Sequence, residues 1–184
     1  EESLKDFLGQ FPCVAIIGPR QCGKTTLLNT LPADWTRFDL ERHADLDMVA
    51  RDPDLFFSLH QEKVAIDEAQ NLPQLFNALR VTIDERRSVR GRFVITGSSS
   101  PGLLKSVSES LAGRVAIIEM APFAWAEAIG DARSDFVSRL SDMSTSPEDM
   151  ISGLKPRADE KAVHDYWFRG GYPEPWLSGT ERFR

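Results

Sequence analysis

Leu4, Phe7 and Leu8 recur at helical spacing and predict a helix over residues 2–9. The next segment, Cys13-Val14-Ala15-Ile16-Ile17, is an unbroken apolar run rich in β-branched residues. It is too short for a helix and reads as a strand buried on both faces. A glycine-containing loop follows. Residues 24–31 then open a helix that Pro32 ends. A strand is expected over 36–40, and a polar helical region runs to about Leu59, interrupted at Pro53. A second buried strand covers 63–67. Leu75, Leu79 and Ile83 place a helix over about 73–86. Phe93-Val94-Ile95-Thr96 is a third apolar strand, and residues 97–102, GSSSPG, read as a loop. A short helix to about Ala112 leads into a strand over 115–119.

Strands and helices thus alternate as far as residue 120, the pattern of a parallel sheet covered by helices on both faces. Beyond Pro122 it changes. Residues 123–129 and 136–140 look helical, 141–159 form a polar Ser/Thr/Pro/Asp-rich loop or linker, and 164–169 are helical until Gly170-Gly171-Tyr172-Pro173 breaks the run. The expected division is a core over 1–121 and a helical segment over 122–184. The abrupt end at Arg184 leads to the expectation of a fragment.

Composition adds mainly exclusions. The formal net charge of -6 argues against a surface built throughout for nucleic acid. A local patch is conceivable at Arg86-Arg87-Ser88-Val89-Arg90-Gly91-Arg92, although such a run is more often a solvated helix end and loop. No apolar run approaches the roughly 20 residues that span a bilayer. Cys13, Cys22 and the scattered His43, His60 and His164 lack zinc-ligand spacing, and two cysteines make no disulfide framework. A reducing cytoplasm is the expected compartment.

Gly18-x-x-x-x-Gly23-Lys24-Thr25 joins the first strand to the next helix. This is a phosphate-binding loop. Glycines let the backbone turn tightly, so that successive N–H groups point at phosphate oxygens. Lys24 supplies a mobile charge to the β- and γ-phosphates, and the Thr25 hydroxyl can ligate Mg²⁺. Pro19, Arg20, Gln21 and Cys22 between the glycines, and Thr26 after them, complete the set that would line a nucleotide. Val64-Ala65-Ile66-Asp67-Glu68 sets two carboxylates at the end of a buried strand, where the crevice of such a sheet lies. Asp67 would join the Mg²⁺ shell and Glu68 would polarise an attacking water. At the tip of the third apolar strand, Ser98 is positioned to reach the γ-phosphate or the water, with Thr96 or Ser99 as substitutes. Arg114 could reach γ-phosphate charge in its own subunit or a neighbour's. Cys22, a thiol inside the loop, is a candidate for redox inhibition.

GPRQCGKTTLL, VAIDEAQNLPQLFNALR, FVITGSSSPGLL and SLAGRVAIIEMAPFAWAEA, in this order, resemble the AAA-like P-loop ATPases of bacteria and archaea, which are often two-part proteins. The likeness covers roughly residues 1–128. GGYPEPWL resembles the Gly-x-Pro element in the lid of that group and of related signal-transduction ATPases. The resemblance implies a five-stranded parallel sheet of AAA order between helices, with part of a small helical lid. It implies a Walker A over 18–25, a Walker B at Asp67 and Glu68, a sensor at Ser98, an arginine finger at Arg114, and Pro173 near the nucleotide base. Family members usually continue into a further C-terminal domain. Cys22 stands where the family usually has a small or apolar residue, and Arg169 is the one candidate for a second sensor arginine.

The function this points to is Mg²⁺-dependent ATP hydrolysis that drives a conformational change, with ATP and ADP as ligands and a homo-oligomer if Arg114 acts in trans. A regulatory module that binds nucleotide with little turnover uses the same residues. A DNA-associated motor is suggested by Asp67-Glu68-Ala69-Gln70, a helicase-box variant, but a helicase needs a second motor lobe.

Overall fold

A computed structural model describes residues 2–130, 141, 146, 148–149 and 159–178. Among these residues the apolar runs become five parallel strands: β1 (Cys13–Gly18), β2 (Thr36–Asp39), β3 (Val64–Asp67), β4 (Phe93–Ser98) and β5 (Val115–Glu119). Their order across the sheet is β2-β3-β4-β1-β5. Parallel neighbours need crossovers, and the intervening helices supply them. These are α2 (Lys24–Leu28), α3 (His43–Arg51), α4 (Pro53–Leu59), α5 (Leu75–Glu85) and α6 (Pro101–Ser110), while α1 (Glu2–Gln10) precedes β1.

Strand periodicity of two decides which side chain meets which helix layer. Cys13, Ala15 and Ile17 of β1 face the larger core with Val64, Ile66, Phe93 and Ile95, and α3–α6 cover it through Val49, Phe57, Leu79 and Val107. Val14 and Ile16 face the other way, with Ala65 and Val94, onto Leu4 of α1, Leu28 of α2 and Trp35. Both faces of β1 are therefore sealed, which is why its sequence shows no alternation. Burying each such aliphatic side chain is worth about 1.5–3 kcal/mol.

Several boundaries differ from the sequence expectation. α2 stops at Leu28 rather than at residue 31. Thr30 N–H and Leu31 N–H bond three residues back, to Leu27 and Leu28, and the residue before Pro32 is disfavoured in a helix. Of residues 97–102 only Ser99 and Ser100 lie outside regular elements. Gly97 and Ser98 continue β4 because Ile17 and Gly18 of β1 are there to pair with them. Pro101 and Gly102 already belong to α6, with Pro101 in the first turn and the Ser100 side chain accepting from Leu103 N–H. Pro53 likewise opens α4 after the Asp52 cap.

The chain divides into two compact units, Glu1–Ala121 and Pro122–Arg184. In the second, α7 (Trp125–Ala128) is shorter than expected. α8 (Glu160–Arg169) begins earlier than expected because Asp159 caps it through Ala162 N–H. Pro173 starts a further helix, α9 (Pro173–Leu177). Tyr166 donates to the Phe123 carbonyl at 2.8 Å, and Trp176 Nε1 donates to the Gly170 carbonyl at 2.7 Å. The helix expected over 136–140, and most of the loop expected over 141–159, lie outside the described residues.

Arg92, just before β4, is 1% exposed. Its guanidinium donates to the carbonyls of Gln61 at 2.9 Å and Thr82 at 2.8 Å, and it lies 4.8 Å from the centre of the Phe93 ring. Arg92→Met keeps the apolar bulk and leaves both carbonyls without that donor. A loss of about 2–4 kcal/mol is expected in urea unfolding.

Candidate functional site

Parallel strands place their carboxyl ends at one edge, so Gly18, Asp67 and Ser98 emerge together. Gly18 closes β1 under the Met120 backbone. A Cβ there would collide with the Met120 carbonyl oxygen and come within 2.9 Å of Cys22 Sγ. The loop then turns through two left-handed residues, Gln21 (φ 62°) and Gly23 (φ 102°). Residues of this handedness in a tight turn direct N–H groups to a common concavity suited to anions. Pro19 is half-buried, while Arg20, Gln21, Thr25 and Thr26 are exposed around it.

Lys24 is 4% exposed, and its ammonium donates to the carbonyls of Gly18 at 3.2 Å and Pro19 at 2.9 Å. The charge is thereby held at the loop that begins the site. Thr25 Oγ1 donates to Asp67 Oδ2 at 2.6 Å. Asp67 is 5% exposed, and its other oxygen accepts from Thr96 Oγ1 and from Glu68 N–H at 3.1 Å. Three donors thus converge on one buried carboxylate. Hydroxyl and carboxylate oxygens are the donor set that a hard cation such as Mg²⁺ takes, usually with few protein ligands and the rest from phosphate and water. Glu68, in the left-handed region at φ 54°, accepts through Oε2 from Gln70 Nε2.

Loop, Lys24, Thr25, Asp67 and Glu68 are thus brought together. Ser98 joins them at the sheet edge, in register with Gly18, but Thr96 is the residue that braces Asp67. Thr96 and Gln70 are the residues that sequence reasoning underweighted. The parity of β4 and its place beside β3 would have pointed to Thr96, since both become evident once the strand order is known.

Arg114 is not brought to this edge. It precedes Val115, which pairs with Cys13, so it lies at the opposite end of the strands, roughly 20 Å from the level of Gly18 at about 3.3 Å per residue. There it grips Asp84 of α5 with two bonds of 2.7 Å. That bond holds the Asp84 carboxyl below its usual range and raises the Arg114 guanidinium. An arginine finger acting within its own chain is therefore corrected: β5 runs the wrong way for it. Cys22 is 2% exposed, so the thiol offered as a redox site is sealed beneath the loop. The arginine run is also largely committed, with Arg86 paired to Glu62 at 2.6 Å and Arg92 buried. Pro173 and Arg169 belong to the second unit, where the Arg169 guanidinium lies 5.2 Å from the Trp176 ring.

A family model described as an AAA domain matches residues 10–129. The chain belongs to this AAA domain family. Uncharacterized proteins of Mycobacterium bovis and Mycobacterium tuberculosis are each 44% identical to it over 119 residues, covering 64% of the chain. The match covers only 26% of the length of these curated relatives. Among solved structures, the Walker-type ATPase of Pyrococcus abyssi is similar, with a TM-score of 0.55 at 17% identity over 94% of this chain and 62% of that one. The fold is that of an α/β P-loop NTPase. No helix among the described residues is long and apolar enough to cross a membrane.

Gly18→Ala is expected to displace the loop from the Met120 carbonyl. Melting should fall by about 4 °C or more, and titration with a fluorescent ATP analogue should show loss of binding.

Proposed function

We propose that this AAA domain is the Mg²⁺-dependent ATPase module of a larger protein, hydrolysing ATP to drive a conformational change in it. The observation that carries the reading is the 2.6 Å hydrogen bond from Thr25 to the buried Asp67. It joins the phosphate loop to the strand that bears Glu68, so the binding half and the hydrolytic half of the site meet in one pair of oxygens. Mg²⁺, when bound by that pair, supplies neutralising charge to the phosphates. Lys24 exchanges two loop carbonyls for phosphate oxygens, trading dipoles for a full opposite charge. Glu68 accepts the proton of the attacking water, and Ser98 donates to the transferring phosphoryl. That the structurally similar P. abyssi protein is named a Walker-type ATPase supports this assignment, and two free, buried cysteines are in keeping with a cytoplasmic setting.

Glu68→Gln keeps size and hydrogen bonding and removes the base. The variant is expected to bind ATP within about twofold of the parent and to lose turnover by a factor of about 10²–10⁴. Unchanged turnover in a phosphate-release assay discards Glu68 as base.

The second part of the proposal is a homo-oligomer in which Arg114 serves a neighbouring copy. Arg114 lies at the amino end of β5, away from the phosphate loop of its own chain, as a residue serving a neighbouring copy would. Specific turnover of the full-length protein is then expected to rise with protein concentration, and Arg114→Ala to abolish that rise. A flat concentration profile in the parent assigns Arg114 to the Asp84 pair alone.

A further inference from the structure

Glu68 is held from two directions. Its main chain is set by the left-handed turn and by N–H donation to Asp67 Oδ1 at 3.1 Å and Thr96 Oγ1 at 3.3 Å. Its side chain is set by Gln70, which returns against it from the 3-10 turn Ala69–Asn71 and donates from Nε2 to Glu68 Oε2.

The other end of the same amide is anomalous. Gln70 Oε1 is buried without a hydrogen-bond donor, whereas buried side-chain oxygens as a rule have one. It packs on Gly97 of β4, at a place where any Cβ would collide with it and would also lie 2.5 Å from Leu103 Cδ2. Reversing the amide would set its oxygen against the Glu68 carboxylate, acceptor facing acceptor. The orientation is therefore dictated by Glu68 and not by the rest of the surroundings. A glutamine serving only the packing of this corner would be expected to satisfy both of its ends. This one satisfies the end that touches the carboxylate, and β4 gives up a side chain at Gly97 to let it lie there.

We infer that Gln70 is a positioning residue for Glu68: its amide engages Oε2 and fixes the carboxylate, so that the remaining oxygen is presented to water in one orientation. The inference rests on the reading of Glu68 as the base. Gln70 touches neither water nor phosphate in this role. It acts by removing the rotational freedom of a long side chain whose backbone is already fixed, and misplacing a reacting group by about 1 Å can cost about 10²-fold in rate.

The test uses the full-length protein with ATP and Mg²⁺, comparing the parent, Gln70→Met, Glu68→Gln and the double variant. Methionine matches glutamine in length, fills the space against Gly97 and Leu103, and carries neither the donor nor the unpartnered oxygen. Gln70→Met is expected to melt at or above the parent's temperature and to keep KM for ATP within about twofold, while kcat falls by about 10- to 100-fold. The double variant is expected to be no slower than Glu68→Gln alone, since two residues acting as one unit do not lose rate twice. Gln70→Ala replaces Gln70→Met should the latter fail to fold. Parental kcat in Gln70→Met, alongside an inactive Glu68→Gln, overturns the role of Gln70 and leaves the base in place. A further drop in the double variant also overturns it, because Gln70 would then act apart from Glu68. Retained turnover in Glu68→Gln removes the base reading, and this one with it.

Discussion

One buried carboxylate organises the site. Asp67 ends a strand on which every side chain is buried, and it receives donors from three separate pieces of chain: Thr25 at the start of α2, Thr96 on β4, and the amide of its own successor, Glu68. A carboxylate in such a place is expensive unless its lone pairs are filled, and here the filling also fixes the geometry. Because Thr25 is one residue beyond Lys24, the bond to Asp67 sets where the phosphate loop ends. Because Glu68 N–H is another of the donors, the same carboxylate sets where the proposed base begins.

This arrangement depends on the strand order. β1 and β3 do not touch each other in the sheet, since β4 lies between them. The span from loop to carboxylate is bridged by Thr25 from α2 and by Thr96 from β4 itself. Thr96 is 1% exposed, so it works as an internal brace, whereas Ser98 two residues on reaches the mouth. Residues i and i+2 of a strand share a face, and here they divide the labour of that face by depth.

The sequence made the strands of the core legible because their apolar runs are short, continuous and punctuated, and the spacing of Gly18, Gly23, Lys24 and Thr25 named the loop. It was silent where a residue's role comes from a neighbour distant in the chain. GSSSPG has the composition of a loop, yet its first two residues are strand, because the tail of β1 offers them a partner and composition does not encode partners. Arg114 has the right neighbours in sequence and the wrong end of the sheet, a distinction that only the direction of β5 decides. Cys22 stands inside the loop as a candidate redox site, but its sulfur turns inward onto Gly18. Gln70 stood in plain view in DEAQ, and nothing in that string reveals that Gly97, many residues later, leaves room for it.

The position of β1 has a consequence for motion. It is paired along its length on both sides, by β4 and β5, and none of its side chains meets solvent. Its amides can exchange with water only when the whole sheet comes apart, at close to the full free energy of unfolding. The loop that follows is free of that ladder after a single peptide. The domain therefore joins its least yielding segment directly to one that must rearrange around a ligand, and strain arising in the loop has no compliant strand behind it to absorb it. It is passed instead to α2 and, through Thr25, to the carboxylate on β3.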